Sequence, residues 1–380
     1  MSEDSKLVKK VAVLGAGYMG SAITFPLTDN GIIVNLWGTW LDDKIIEASK
    51  NCPHPKLKKR LNKNVNLFYS GNLKEAIKDA DAFFIAVTSE GFARVFELLA
   101  DNLDFQDNHY FFKLTKGLVE FEGKIIRATQ AAKLIYEKRF GNIKSDDNLK
   151  AGKHQSAKPD SAQDCNTGFE IISIGGPVRA MDLSRRIPTA SVYGTHSNSK
   201  AASIFKSFST GYYRIYECRD VSGVEICSTF KNIYSIAAGI CDGIYKENFN
   251  GCYFNIIAFL FNQSLLEMLK IVEITGGQKD TAVSFAGTGD LHVTSAAGRN
   301  RRFGEMVGKG INPSEAFGKM LDEGEYGEGY IALKLSVPWL SNFGIDIEKE
   351  LPLLSALHNI IYAEKDPEEI FKELILKLGI

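Results

Sequence analysis

Neither sign of charge prevails in this chain: 45 lysines and arginines stand against 46 aspartates and glutamates over 380 residues, a formal net charge of −1. Such a balance gives no global pull toward nucleic acid or an anionic membrane, so neither is expected as a partner. Long apolar runs are also missing. The most apolar stretch, IIAFLF at 256–261, is far shorter than the roughly 20 residues of a spanning helix, and MSEDSKLVKK at the N-terminus has no signal-peptide core. Cys52, Cys165, Cys218, Cys227, Cys241 and Cys252 form no CxxC pair and no Cys/His spacing suited to zinc. No metal site is expected, and the thiols read as reduced, mostly core residues of a cytoplasmic protein.

What is present starts with a hydrophobic content of 44% and a length suited to two or three domains. VAVLGAGYMGSAITFPLTDNGIIVNLWG runs apolar stretch, glycine turn, helical stretch and second apolar stretch, the order of a parallel crossover. Gly15, Gly17 and Gly20 occupy the G-x-G-x-x-G positions. The first permits the tight turn, the second lets a pyrophosphate approach the backbone, and the third lets helix lie on strand. The helix N-terminus then offers free N–H groups to phosphates. Cofactor contacts are expected from Gly15, Gly17, Tyr18, Met19 and Gly20, and from Trp37 at the end of the second strand. NLWGTW carries neither the acid that holds the ribose hydroxyls of NAD nor an arginine for the 2′-phosphate of NADP, and Asp42 and Asp43 come late for that role. NAD is the expected cofactor, with NADP as the alternative.

Further strands are expected at 82–87, 110–114, 169–174, 189–193 and 212–217, with helices at 73–78, 92–100 and 124–139 among the earlier ones. That alternation predicts an open α/β sheet. A polar stretch at about 144–168 reads as a surface loop. From about Val221 the apolar spacing is helical throughout. The expected division is a dinucleotide-binding domain over 1–220 and a helical substrate-binding domain over 221–380, with a small-molecule site in the cleft between them.

Three groups of residues can carry chemistry. LTKGLVE places Lys116 just after a strand, where an open parallel sheet binds its ligands. FKNIYSIAAG sets Lys231 and Asn232 on a largely apolar helix, and a lysine buried there needs a charged partner. GTGDLHVTSAAGRN offers Asp290 as that partner, with Thr294, Arg299 and Asn300 nearby. A lysine held beside an aspartate can exchange a proton with a substrate hydroxyl while a nicotinamide moves a hydride. A second ammonium can polarise the carbonyl oxygen, and Arg299 with Asn300 can bind a phosphate or carboxylate. Arg301 and Arg302 read as solvated or paired with the protein's own acids.

In sequence order, GAGYMG, NGIIVNLW, LTKGL, SIGGPVRAMDLSRRIPTA, FKNIYSIAAGI, GTGDLHVTSAAGRNRRFG, GEGYIALK and LPLLSALHNIIY resemble the motifs of the NAD(P)-dependent glycerol-3-phosphate dehydrogenases. The resemblance implies a Rossmann-like N-terminal domain, an all-α C-terminal domain of the 6-phosphogluconate dehydrogenase type, and a homodimer. It implies interconversion of dihydroxyacetone phosphate, a small phosphorylated substrate, and sn-glycerol 3-phosphate. By motif, Lys231 is the general acid/base, with Lys116, Asp290 and Thr294 around the substrate oxygens. Arg299, Asn300 and Asn232 bind the substrate, while Glu328, with Lys116 and Arg299, lies near the cofactor. The chain departs from the family at Thr88-Ser89-Glu90, where proline is usual, at AMDL, and in lacking an arginine after the second strand. The competing readings are a dehydrogenase of the same superfamily for another phosphorylated or carboxylated hydroxy compound, and a catalytically idle nucleotide sensor.

Overall fold

A computed structural model describes residues 8–104, 109–141, 169–196, 200–246 and 253–379. The polar loop expected at 144–168 lies outside them, as do Cys165 and Cys252. The backbone divides into two compact units. One holds the described residues up to 115 and 119–225; the other holds Lys116–Leu118 and the described residues from 226 onward.

The first unit is built on an eight-stranded sheet. Its strands are β1 (Lys10–Leu14), β2 (Ile33–Trp37), β3 (Val65–Phe68), β4 (Ala82–Ile85), β5 (His109–Lys113), β8 (Phe169–Gly175), β9 (Thr189–Gly194) and β10 (Tyr213–Cys218), with β6 (Leu118–Phe121) and β7 (Lys124–Arg127) apart as a hairpin. The order β10-β9-β8-β5-β4-β1-β2-β3 is parallel except between β8 and β9. The chain reverses direction across the sheet between β1 and β4, the switch point at which open sheets of this type bind ligands.

Both faces of the sheet are covered, which is why its strands read as near-continuous apolar runs. Val11 and Val13 face one core with Phe84 and Phe112, while Ala12 and Leu14 face the other with Phe83 and Phe111. The β4–β5 register sets Phe83 opposite Phe111 and Phe84 opposite Phe112. The rings stack in both pairs, with centroids 5.6 and 4.6 Å apart. A one-residue slip would exchange the two faces and break both stacks.

Two elements differ from the sequence expectation. The helix expected over 124–139 begins at Ala128, because Lys124–Arg127 is strand β7. Glu122 and Gly123 both adopt positive φ, 50° and 73°, which is the backbone of a two-residue hairpin turn, and the isoleucines of KIIR favour extended chain. Strand β3 was hidden in the sequence by its polar flanks and by Asn66, whose side chain is held by Asn35 on β2.

The second unit is helical, and glycines fix how its helices meet. A Cβ on Gly239 would lie 1.9 Å from the Arg301 carbonyl oxygen, and one on Gly243 2.4 Å from that of Glu305. Reciprocally, a Cβ on Gly304 or Gly308 would lie 2.2 or 2.3 Å from the carbonyl oxygens of Ile236 and Ile240. Helix Val221–Tyr245 and helix Arg299–Gly308 therefore touch backbone to backbone. Helix Phe254–Ile274 is long and apolar enough to cross a membrane by length and composition. In this fold its Glu267 accepts hydrogen bonds from Leu353 N (2.6 Å), Leu354 N (2.9 Å) and Tyr234 Oη (3.0 Å), capping helix Pro352–Tyr362.

Overpacking this crossing has a measurable consequence. Gly239→Ala should lower the unfolding free energy by about 1–3 kcal/mol. Gly318→Ala, inside helix Pro313–Asp322 with open space around it, should raise it by about 0.5–1 kcal/mol. Urea melts of the two variants showing equal effects would remove the close crossing from the account.

Candidate active site

At the end of β1 the three glycines do three different things. Gly15 has φ +107°, and a Cβ on it would lie 2.6 Å from the Ala86 carbonyl oxygen. A Cβ on Gly20 would lie 1.9 Å from the Gly15 oxygen, so helix Tyr18–Asp29 can sit this close to its own turn only with glycine there. Gly17 caps that helix and has nothing within 4 Å of its Cβ position. Open space over the second glycine and the uncapped first turn fit a pyrophosphate on the backbone N–H groups.

The turn is braced from both sides. Asp42 Oδ2 accepts from Ala16 N at 3.3 Å, Thr39 N at 3.1 Å and Thr39 Oγ1 at 2.8 Å. His54, fully buried, sets Nε2 against Ser21 Oγ (2.9 Å) and the Ala16 oxygen (3.2 Å), while its Nδ1 accepts from Lys56 N and Leu57 N. Burial lowers the His54 pKa, which keeps that acceptor nitrogen free of a proton. The basic run after His54 is thereby tied to the glycine turn. Tyr18 and Met19 are partly buried against the core. Trp37 is 1% exposed, its indole N–H donates to the Ser70 oxygen, and its own carbonyl accepts from Gly15 N. These two bonds brace the turn.

The second unit gathers the charged residues. Lys231 is 2% exposed and Asp290 1%, and the Lys231 ammonium donates to Asp290 Oδ1. Asp290 opens helix Asp290–Ala296 directly after a π-type turn, Phe285–Gly289, in which a Cβ on Gly287 would meet the Ala282 oxygen at 1.9 Å. Thr294, one turn later, reaches the same Oδ1 at 3.4 Å. Asp290 Oδ2 is buried with no hydrogen-bond partner among the described residues. Lys116 lies within hydrogen-bond reach of Lys231.

Two ammonium groups around one carboxylate cannot both hold their protons equally well. Burial first, then the Lys116 charge, press the Lys231 pKa down to about 7 against the opposing pull of Asp290. Lys116 goes the other way: burial disfavours its charge, but the carboxylates of Asp290 and Glu328 outweigh that and raise it. One lysine is poised to exchange a proton near neutral pH, and its neighbour stays charged.

Around this pair runs a closed amide network. Asn232 Nδ2 donates to Glu328 Oε2 at 2.9 Å, Asn300 Nδ2 donates to Asn232 Oδ1 at 3.1 Å, and Asn300 Oδ1 accepts from Gly329 N at 2.9 Å. Arg299 reaches Glu328 Oε1 at 3.3 Å with its side chain 36% exposed. Burial alone would raise the Glu328 pKa, but Arg299, Lys116 and Lys231 hold it below the usual carboxylate value. Arg301 and Arg302 are bound to the protein's own acids: Arg301 is bidentate on Asp242 (2.5 and 2.7 Å), and Arg302 pairs with Glu323 and Glu325. His292 is exposed and edge-on to Phe261. The sequence reading missed Gly239, Gly243, Gly304, Gly308 and Gly329, which let the three helices approach. Two G-x-x-x-G spacings, at 239–243 and 304–308, were their visible signal.

The profile of the NAD-dependent glycerol-3-phosphate dehydrogenase N-terminus matches residues 10–143, and that of the C-terminus of the same family matches residues 220–372. The chain belongs to the NAD-dependent glycerol-3-phosphate dehydrogenases. The NADP(+)-dependent glycerol-3-phosphate dehydrogenase of Archaeoglobus fulgidus is 29% identical over 96% of this chain and 98% of its own. The glycerol-3-phosphate dehydrogenase [NAD(P)+] of Clostridium botulinum is 25% identical over 97% and 98%. The crystal structure of glycerol-3-phosphate dehydrogenase from Coxiella burnetii shares the fold, with a TM-score of 0.77, 24% identity, and coverage of 97% of this chain and 99% of that one. The expected enzyme class, cofactor class and two-part fold agree with these findings.

Removing the shared carboxylate tests the electrostatics. Asp290→Ala leaves the Lys116 ammonium, and the Lys231 ammonium below about pH 7, without their common acceptor and should cost about 3–5 kcal/mol of stability near pH 6. A urea midpoint unchanged from the parent would mean that the ion pair is not held in the folded protein.

Proposed function

We propose that this dehydrogenase interconverts dihydroxyacetone phosphate and sn-glycerol 3-phosphate with Lys231 as the proton-transfer group. The observation that carries this reading is the Lys231–Asp290–Lys116 cluster, in which a buried lysine is held on a buried carboxylate with a second lysine beside it. The nicotinamide, when bound, supplies or accepts the hydride.

In the reducing direction Lys231 Nζ gives its proton to the carbonyl oxygen as negative charge develops there, and is left as the neutral amine. Lys116 remains an ammonium and stabilises that developing charge. Asp290 Oδ1 keeps Lys231 in place, and the unpartnered Oδ2 accepts a substrate hydroxyl. In the oxidising direction the neutral Lys231 takes the hydroxyl proton. One proton is consumed per ketone reduced and one released per alcohol oxidised. The substrate phosphate is assigned to the Arg299 guanidinium and the backbone N–H groups at the start of helix Arg299–Gly308, with Glu328 restraining Arg299. Asn232 and Asn300 tie together the helices that present these groups; both Asn232 amide hydrogens are used within the protein, on the Ser228 oxygen and Glu328, while Asn300 is assigned to the substrate through its second amide N–H. Gly15, Gly17, Tyr18, Met19 and Gly20 are assigned to the cofactor.

Cys52, Cys218, Cys227 and Cys241 are in no disulfide among the described residues, which supports a reducing, cytoplasmic setting. The exposed Phe254 and Leu266 support a homodimer through helix Phe254–Ile274.

Lys231→Ala should reduce turnover about 10²-fold or more while NAD(P)H binding, followed by fluorescence, persists. Retained turnover would exclude Lys231 as the proton-transfer group. The pH profile follows in sign: kcat/KM for reduction needs charged Lys231 and should fall as pH rises through about 7, and that for oxidation should rise over the same range. Asp290→Asn removes the carboxylate that holds the Lys231 proton, so both midpoints should move to lower pH. Arg299→Ala should raise KM for the phosphorylated substrate far more than KM for the cofactor; an equal rise in both would take the phosphate from Arg299.

A further inference from the structure

The loop after β2 is where a dinucleotide's adenosine ribose meets this kind of sheet. An acid at that point accepts the ribose hydroxyls of NAD and repels the 2′-phosphate of NADP. Two acids stand nearby, and both face inward. Asp42 is buried, with Oδ2 holding Ala16 N, Thr39 N and Thr39 Oγ1. Asp43 has both oxygens on Ser70, Oδ1 on the backbone N–H and Oδ2 on the hydroxyl, each at 2.8 Å.

The cation missing from the loop comes from elsewhere in the chain. Arg94, on helix Ser89–Asn102 after β4, lays its guanidinium carbon 3.8 Å from the centroid of the Trp40 ring, and Trp40 sits on the loop itself. Arg94 is exposed and makes no ion pair or hydrogen bond among the described residues. A guanidinium stacked on an indole is held in one plane with its five N–H donors unspent at the rim. Such a group suits a phosphate dianion, for which bidentate N–H contacts are stronger than neutral ones.

We propose that Trp40 and Arg94 form a subsite for the adenosine 2′-phosphate, and that the chain takes NADP(H) in preference to NAD(H). This rests on the dinucleotide reading of the glycine turn. Trp40 supplies the platform and Arg94 the donors, while Asp42 and Asp43 are engaged with Ala16, Thr39 and Ser70.

The test is a fluorescence titration of NADPH and NADH into the full chain and its Arg94→Ala and Arg94→Lys variants, with 2′,5′-ADP and 5′-ADP as competing probes. The parent should bind NADPH at least tenfold tighter than NADH, and 2′,5′-ADP tighter than 5′-ADP. Arg94→Ala should shrink the NADPH-to-NADH ratio at least tenfold at an unchanged melting temperature. Arg94→Lys should fall between, since an ammonium keeps the charge but not the plane. A parent that favours NADH, an Arg94→Ala ratio equal to the parent's, or equal weakening of both nucleotides would overturn the subsite. Failure of the parent to bind either nucleotide would sink the dinucleotide reading itself, a result distinct from binding both without preference.

Discussion

The crossing of helix Val221–Tyr245 with helix Arg299–Gly308 is the constraint from which the charged site follows. Four glycines at two G-x-x-x-G spacings let the backbones touch, and Gly329 brings the start of helix Glu328–Ser341 against the Asn232 carbonyl in the same way, with a Cβ position 2.4 Å from that oxygen. Any side chain at these positions would separate the axes. The amide network of Asn232, Asn300, Glu328 and Gly329 spans only the short distance that the glycines permit. Packing that looks merely structural thus sets the spacing of the functional groups.

With the helices so fixed, electrostatics separates two lysines of the same chemistry. Neither side chain has an intrinsic pKa near neutrality. Burial and the neighbouring cation bring Lys231 down, while two carboxylates keep Lys116 charged. Placing like charges together in a buried site costs stability, and fold and chemistry pull in opposite directions there. Asp290 carries that tension: it is the common counter-charge, and its second oxygen is buried without a partner among the described residues.

Much of the first unit was legible in the sequence because its signals are local. The apolar run Val11–Leu14, the glycine spacing and the next apolar run give strand, turn, helix and strand from neighbouring residues alone. The Lys116, Lys231, Asp290 and Arg299 motifs stood out because charge in apolar or glycine-rich surroundings is conspicuous. The hairpin at 118–127 was harder to see. Its helical spacing misled because the deciding feature, positive φ at Glu122 and Gly123, is a backbone property that Glu122 does not advertise. The contact of Arg94 with Trp40 was likewise out of view, since it forms only through the parallel crossovers of the sheet.

By itself, the sequence determined the strands of the sheet other than β3, the helical character of the second unit, the glycine pattern of the first turn, and the set of ionisable residues available for chemistry. These depend on interactions within a few residues, or on side-chain type alone. Tertiary structure alone decided which lysine is poised and which stays charged, that Asp42 and Asp43 turn inward, that Trp37 supports the turn, and that Asn232 and Asn300 tie three helices together. Each of those outcomes depends on burial and on partners far away in the chain, and an ionisable or amide group takes its role from the field and the hydrogen bonds around it.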